Sequence, residues 1–104
     1  MKKQFVVALA ALFAAGAWAA TPDEAMNKAG CMACHAKDKK LVGPAFKDVA
    51  AKYKGQADAV GKLADKVRKG GSGVYGPVPM PPNPADKIND ADLKAVVESI
   101  LKTT

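Results

Sequence analysis

The sequence predicts an all-α domain of about four to five short helices, and three observations support this prediction. Apolar residues recur three and four positions apart in residues 45–54, 57–69 and 89–102, which is the period of a helix with one buried face. Thr21 and Asn89 are helix-capping residues that stand at the start of two of the predicted helices. Residues 74–84 contain five prolines, which exclude both a helix and an inner strand there.

Residues 1–19 have the pattern of a secretory signal peptide. Lys2-Lys3 precede an apolar run over residues 5–15, and Ala17-Trp18-Ala19 forms an A-x-A cleavage site. The alternative is a membrane anchor, but a run this short does not easily span a bilayer. We therefore expect cleavage after residue 19, which leaves a single mature domain of residues 20–104 with no membrane insertion.

The predicted mature domain is small and mildly basic. It carries fourteen basic and ten acidic residues, a net charge of +4. It has no arginine-rich run and no interleaved aromatic residues, so nucleic-acid binding is not indicated. A chain of 85 residues buries only a modest apolar core, and domains of this size often need a covalent or metal staple.

The first predicted helix leads directly to the most specific motif of the chain. Thr21 is placed to be its N-cap, Pro22 suits its first position, and Glu24 completes a capping box. The helix is expected to end at Ala29. Gly30 is either a simple helix stop or a site of close approach by another helix, and the sequence favours neither.

The motif is Cys31-Met32-Ala33-Cys34-His35, and C-x-x-C-H is the attachment site of a c-type haem. Each thiol adds across one vinyl group of the porphyrin, and the adjacent imidazole reaches the iron. In a helical turn Cys31, Cys34 and His35 share one face. Two alternatives fit poorly: a redox dithiol usually follows a strand, and a structural zinc site needs four ligands. We therefore predict one covalently attached haem c, which also serves as the staple.

The loop after the motif ends in Gly43-Pro44. The proline carbonyl has no competing N–H beside it and is free to accept a hydrogen bond. A metal-bound histidine usually donates its far N–H to such a carbonyl. The turn is therefore either the acceptor for His35 or an ordinary loop break.

Two helices are predicted next, over residues 45–54 and 57–69, with Gly55 between them. The second presents an apolar face, while its lysines and Arg68 are expected mostly on the opposite face. A glycine-rich stretch over residues 70–73 ends it.

Met80 lies in the middle of the proline-rich segment. An iron held by His35 lacks one axial ligand, and the chain has no second histidine. Met1 is lost with the signal, Met32 lies between the two cysteines, and Met26 is expected in the core. Met80 is thus the predicted sixth ligand, held by a stiff proline-rich loop, and the alternative is a simple core filler.

The mature chain resembles the small bacterial class I cytochromes c, of the c-551/c-552 type. Four stretches carry the resemblance: GCMACH at residues 30–35, LVGPA at 41–45, KDVAAK at 47–52 and GVYGPVPMPPN at 73–83. The resemblance implies a class I cytochrome c fold around one haem c. It also implies that His35 and Met80 ligate the iron, that the Pro44 carbonyl accepts from His35, and that Asn83 hydrogen-bonds near the Met80 sulfur.

Three residues depart from the pattern of that family. Tyr75 stands where tryptophan usually contacts a haem propionate. Lys66 corresponds to a basic residue near a propionate, and lysine is less able than arginine to make a planar pairing. Ser99 replaces an aromatic residue late in the last helix, which bears on how the first and last helices pack.

The function implied by the resemblance is single-electron transfer in the periplasm by a soluble monomer that is not an enzyme. Both axial positions are filled in this reading, so the iron has no open site for a substrate. The candidate redox partners are a nitrite reductase, a terminal oxidase and a bc-type complex. The alternatives are a haem enzyme or ligand sensor with a dissociable Met80, and a dithiol oxidoreductase.

Four lysines close to the motif are expected to edge the docking surface for these partners, which would present acidic patches. The lysines are Lys37, Lys39, Lys40 and Lys47. The alternative is that they form only a solvated face.

Overall fold

The computed structural model describes residues 21–104, and the predicted signal peptide lies outside the described residues. The described chain forms four α-helices and one 3₁₀ turn. In chain order these are α1 (Pro22–Ala29), the 3₁₀ turn (Cys31–Ala33), α2 (Phe46–Tyr53), α3 (Ala59–Lys69) and α4 (Asp90–Leu101). Residues 21–104 contain no β-strand, only isolated bridges from His35 to Lys40 and from Gly71 to Met80. The predicted all-α architecture is confirmed.

Helix α1 begins and ends as its sequence predicts. The Thr21 hydroxyl accepts a hydrogen bond from the Glu24 N–H at 3.2 Å, and Pro22 occupies the first turn. Gly30 ends the helix in a left-handed conformation with φ of 84°. A Cβ at Gly30 would meet nothing within 4 Å, so the glycine serves as a helix stop and not for close approach by another helix.

Helix α2 begins one residue later than predicted, and helix α3 begins two residues later. Ala45 is the residue before α2 and not its first residue. Residues 57–58 form a turn, with the Ala59 N–H donating to the Gln56 carbonyl at 3.2 Å, and Asp58 makes no side-chain cap bond. Helix ends that lack a capping side chain are poorly marked in a sequence, which accounts for the difference.

Helix α4 is the element against which the other three helices pack. Its buried residues Leu93, Val96, Val97 and Ile100 meet Met26 of α1, Phe46 and Val49 of α2, and Ile88 of the preceding loop. Helix α1 packs on α4 although Ser99 stands where the family usually has an aromatic residue. The buried side chains of Ala25 and Met26 show this packing. Each fully buried apolar side chain of this size contributes about 1.5–3 kcal/mol to folding.

Arg68 does not lie on the polar outer face of α3, and the prediction for this residue is wrong. Its side chain is only 22% exposed. It donates to the carbonyl oxygens of Asn83 at 3.1 Å and Ile88 at 2.6 Å, and it pairs with Asp90 at 2.5 Å. The helical period cannot show this, because the loop from α3 to α4 returns over that face of the helix.

Candidate haem-binding site

The 3₁₀ turn places the three motif side chains on one side of the chain. The Cys34 N–H donates to the Cys31 carbonyl at 3.2 Å, and the His35 N–H donates to the same carbonyl at 3.0 Å. This tight winding keeps positions i, i+3 and i+4 together. Cys31, Cys34 and His35 accordingly line the same cleft.

The loop after the motif folds back on it and fixes the tautomer of His35. The Gly43 N–H donates to the Cys34 carbonyl at 2.7 Å, and the Phe46 N–H donates to the Ala36 carbonyl at 2.9 Å. This path places the Pro44 carbonyl oxygen 2.8 Å from His35 Nδ1. A carbonyl only accepts, so Nδ1 carries the hydrogen and the lone pair of the neutral imidazole is on Nε2.

Two neighbouring residues, Phe46 and Gly43, restrict the position of the imidazole ring. The Phe46 ring stacks on it, with 5.1 Å between ring centroids and 22° between planes. A Cβ at Gly43 would lie 2.5 Å from His35 Cε1, so only glycine fits there. From the sequence, Phe46 was only one of the apolar residues at helical spacing in residues 45–54, and Gly43 was part of a turn. The one available signal was the glycine before the proline, because the stacking depends on the path of the loop.

The motif opens into a cleft with mostly apolar walls. Cofactor sites are usually concave and mostly apolar, with a few placed polar groups. The walls here come from α2, α3, α4 and the loop between α3 and α4. They include Phe46, Val49, Leu63, Val67, Val96 and Val97. The apolar walls suit a flat, largely apolar cofactor.

Met80 lies in the loop that follows α3, and it is one of the residues that line the cleft. Its backbone N–H and carbonyl both pair with Gly71, each at 2.9 Å. A Cβ at Gly70 would overlap the Met80 carbonyl, so the adjacent glycine is required for this approach. This pairing joins the two ends of the segment from Gly71 to Met80 and keeps Met80 beside α3.

Asn83 is buried, with 6% of its surface exposed, but its side chain has other partners than the resemblance implies. Its amide donates to the carbonyl oxygens of Val67 at 3.2 Å and Pro81 at 3.1 Å. Both amide hydrogens are therefore taken, and the bond toward the Met80 sulfur is not formed in this structure.

Lys66 and Tyr75 both line the cleft. Tyr75 is 40% exposed, and the Lys52 ammonium lies 5.8 Å from its ring centroid. Burial raises the pKa of the Tyr75 hydroxyl, and the nearby Tyr53 and Asp48 raise it further, so the hydroxyl remains a donor. A Cβ at Gly71 would lie 3.0 Å from the Lys66 ammonium, which places this cation beside the Met80 loop.

The environment of Cys31 does not favour the reactivity of a redox dithiol. Both cysteines are free and partly buried. Burial raises the pKa of the Cys31 thiol, a backbone hydrogen bond partly opposes this effect, and Cys34 makes a smaller raising contribution. Redox dithiols instead rely on a lowered thiol pKa. Within residues 21–104 no three His, Cys, Asp or Glu side chains are grouped to hold a metal ion.

The residues of the cleft fit a haem c: two thiols for the vinyl groups, an imidazole with Nε2 free for iron, and apolar walls. The family model described as Cytochrome c matches residues 20–104, so the chain belongs to the cytochrome c family. It is a small class I cytochrome c of the c-551/c-552 type with one covalently attached haem c, an electron carrier and not an enzyme.

Three relatives illustrate the match. The chain is 46% identical to cytochrome c-551 of Pseudomonas aeruginosa, over 92% of this chain and 89% of the relative. It is 50% identical to cytochrome c-552 of Hydrogenobacter thermophilus, over 97% of each chain. The crystal structure of wild-type cytochrome c552 from Nitrosomonas europaea superposes with a TM-score of 0.73 at 46% identity. It covers 79% of this chain and 99% of that chain.

No helix in residues 21–104 is long and apolar enough to cross a membrane.

Proposed function

We propose that this cytochrome is a periplasmic single-electron carrier in which His35 Nε2 and the Met80 sulfur are the two axial ligands. The observation that carries the proposal is the 2.8 Å contact between His35 Nδ1 and the Pro44 carbonyl, in a cleft that Met80 also lines. When bound, the haem supplies an iron that alternates between Fe(III) and Fe(II). The protein supplies the ligands, their orientation and the apolar surroundings.

The two proposed ligands act in opposite directions on the iron. The Pro44 carbonyl accepts from Nδ1–H and so makes His35 a more basic ligand, which favours the ferric state. The Met80 thioether is a soft, neutral donor that favours the ferrous state. With both positions filled no site is left for a substrate, which is the property of a carrier.

We assign Lys66 and Tyr75 to the haem propionates. Their support is that both line the cleft, that Lys66 supplies a cation, and that the Tyr75 hydroxyl stays protonated and can donate. Their effect on the reduction potential is expected to be small, because both groups are partly exposed to water.

The periplasmic location rests on the chemistry of attachment and on the start of the chain. C-type haem is attached outside the bacterial cytoplasm, so the chain must be exported. We propose that residues 1–19 are the cleaved signal peptide. The match to the family begins at residue 20, which is consistent with this boundary.

The proposed partners are periplasmic or membrane redox proteins such as a nitrite reductase, a terminal oxidase or a bc-type complex. We propose that they dock over the cleft through acidic patches. Lys40 lines the cleft, whereas the Lys37 ammonium lies 3.6 Å from Asp23 of α1. Lys40 is therefore the member of the lysine group with the greatest expected effect on docking.

Replacement of Met80 with alanine tests the proposed ligation. The iron should become open to exogenous imidazole, and the potential should fall by a sizeable part of the roughly 0.8 V that axial ligands span. Absorption spectra and redox titrations measure both effects, with Met32→Leu as the control methionine. A Met80→Ala protein with unchanged spectrum and potential would show that Met80 is not the ligand.

A further inference from the structure

The chain that follows Met80 is held to α3 by the side chains of Arg68 and Asn83. Arg68 lies in the last turn of α3, and its guanidinium reaches two groups of the loop between α3 and α4 and one group of α4. Two are the carbonyl oxygens of Asn83 and Ile88, at 3.1 and 2.6 Å, and the third is the Asp90 carboxylate at 2.5 Å. Arg68 therefore fixes the whole segment from the end of the Met80 loop to the first residue of α4.

Asn83 connects this tie to Met80. Its backbone N–H donates to the carbonyl oxygens of Val67 and Arg68, at 3.0 and 3.2 Å, and its side chain binds Val67 and Pro81. The last carbonyls of a helix have no partner within the helix, so α3 offers them to the loop. Met80 thus lies between two fixed points, its own pairing with Gly71 and the docking of Asn83 on α3.

We propose that Arg68 is a positioning residue for Met80, and that it determines how readily the Met80 side chain leaves the iron. The inference rests on the proposed ligation by Met80. Hydrogen bonds from a guanidinium are charge-assisted, and here Nη1 donates to both carbonyl oxygens while Nη2 pairs with Asp90. The shorter and differently shaped side chain of lysine does not reproduce this set of contacts. The two carbonyl contacts carry this role, because Asp90 is 95% exposed and exposed ion pairs contribute little.

The experiment compares two properties of the ferric holoprotein, its affinity for imidazole and the hydrogen exchange of the Asn83 N–H. Imidazole can bind the iron only after the Met80 sulfur has dissociated from it. The apparent affinity for imidazole therefore rises with the fraction of molecules in which Met80 is dissociated. We expect Arg68→Ala to increase imidazole affinity and Asn83 exchange by about tenfold each, and Arg68→Lys to have an intermediate effect. Asp90→Asn, which retains the carbonyl contacts, should change either quantity less than about twofold.

Two controls separate positioning from charge and from general stability. Lys69→Ala removes a positive charge from the neighbouring position of α3, where the ammonium pairs with the exposed Asp65 at 3.0 Å. Ala25→Gly weakens α1, which lies outside the segment from Met80 to Asp90. Both should leave imidazole affinity and Asn83 exchange within about twofold of wild type, whatever they do to global unfolding.

The inference is overturned if Arg68→Ala leaves both quantities unchanged, or if Ala25→Gly changes them equally. If Arg68→Ala does not assemble with haem, Arg68→Lys and Arg68→Gln are judged by the same criterion. Failure of the ligation itself has a different signature. Wild type and Met80→Ala would then bind imidazole equally, while Asn83 exchange would still report whether Arg68 holds the segment.

Discussion

The chemistry of His35 is decided by three residues that surround one ring. Pro44 takes the hydrogen of Nδ1, Phe46 stacks on one face, and Gly43 leaves room for the ring where any side chain would intrude. The consequence is an imidazole whose orientation and tautomer are set by the protein before any metal binds. Such preorganisation avoids an ordering cost when the iron is bound.

Gly43→Ala tests this arrangement. The added Cβ would lie 2.5 Å from His35 Cε1 and 2.8 Å from Nδ1, so the ring or the loop at Gly43 must shift. We expect the free energy of unfolding of the holoprotein to fall by about 1–3 kcal/mol, the usual cost of overpacking. Denaturant titration measures it.

The matched control is Gly61→Ala in α3, where a Cβ would meet nothing within 4 Å. This change should stabilise the protein by up to about 1 kcal/mol, because alanine is the better helix former. Effects of the same sign at the two glycines would mean that contact with His35 is not what requires Gly43.

The raised pKa of Tyr75 predicts that the free energy of unfolding decreases at alkaline pH. Its pKa is raised in the folded state, chiefly by burial, so the unfolded chain loses this proton first as the pH increases. The corresponding stability is fully present below the ordinary tyrosine pKa of about 10 and is lost as the pH rises through the folded-state value. The free energy of unfolding of Tyr75→Phe should therefore decline less than that of wild type in this range. Denaturant titrations at a series of pH values measure the two declines, and identical slopes would assign the effect to other groups.

At the scale of the helices, the sequence predicts those helix ends that depend on hydrogen bonds between residues close together in the chain. The starts of α1 and α4 were predicted correctly, because Thr21 and Asn89 cap them through bonds only three residues away, to Glu24 and Asp92. The start of α3 was not, because Asp58 makes no such bond. Local signals of this kind are readable in a single sequence.

The site shows the same division between local and distant contacts. The pairing of His35 with Pro44 spans nine residues and follows from what a metal-bound histidine needs. The contacts of Arg68 span fifteen and twenty residues, and they depend on where the loop between α3 and α4 returns. The bond from the Asn83 side chain to Val67, which spans sixteen residues, was missed for the same reason. Periodicity describes one helix at a time and carries no information about such returns.

At the scale of the whole molecule, the core and the cleft are made of the same side chains. Val96, Val97 and Ile100 belong to the hydrophobic core and also line the cleft. A domain of this size has little other apolar surface to bury. We therefore expect the chain with Cys31→Ala and Cys34→Ala, expressed for export, to be largely unfolded.

Circular dichroism and denaturant titration of this double variant measure the outcome. Single cysteine variants are the controls, since each of them retains one of the two attachment thiols. A double variant that is native-like and melts cooperatively would show that the helices bury enough surface without the haem.

The charge around the cleft is expected to influence how the proposed redox partners dock. Redox encounters use small, transient interfaces, generally below about 1,200 Å², and such contacts depend on electrostatic steering more than on burial. Exposed apolar side chains, including Val42, Val74 and Val78, also surround the cleft. Salt separates the two contributions, because the Debye length falls from about 30 Å at 0.01 M to about 3 Å at 1 M.

We expect the second-order rate of electron transfer with a physiological partner to fall as salt is raised over this range. A variant with Lys37, Lys39 and Lys40 replaced by glutamine should start lower and fall less. Lys40→Gln alone should account for most of the difference, because Lys40 lines the cleft while Lys37 is paired with Asp23. Lys94→Gln is the matched control, since it removes the same charge from α4 at a residue that does not line the cleft. If the triple variant and the wild type have equal rates and equal salt slopes, the lysines only keep the protein in solution, and docking depends on the apolar side chains around the cleft.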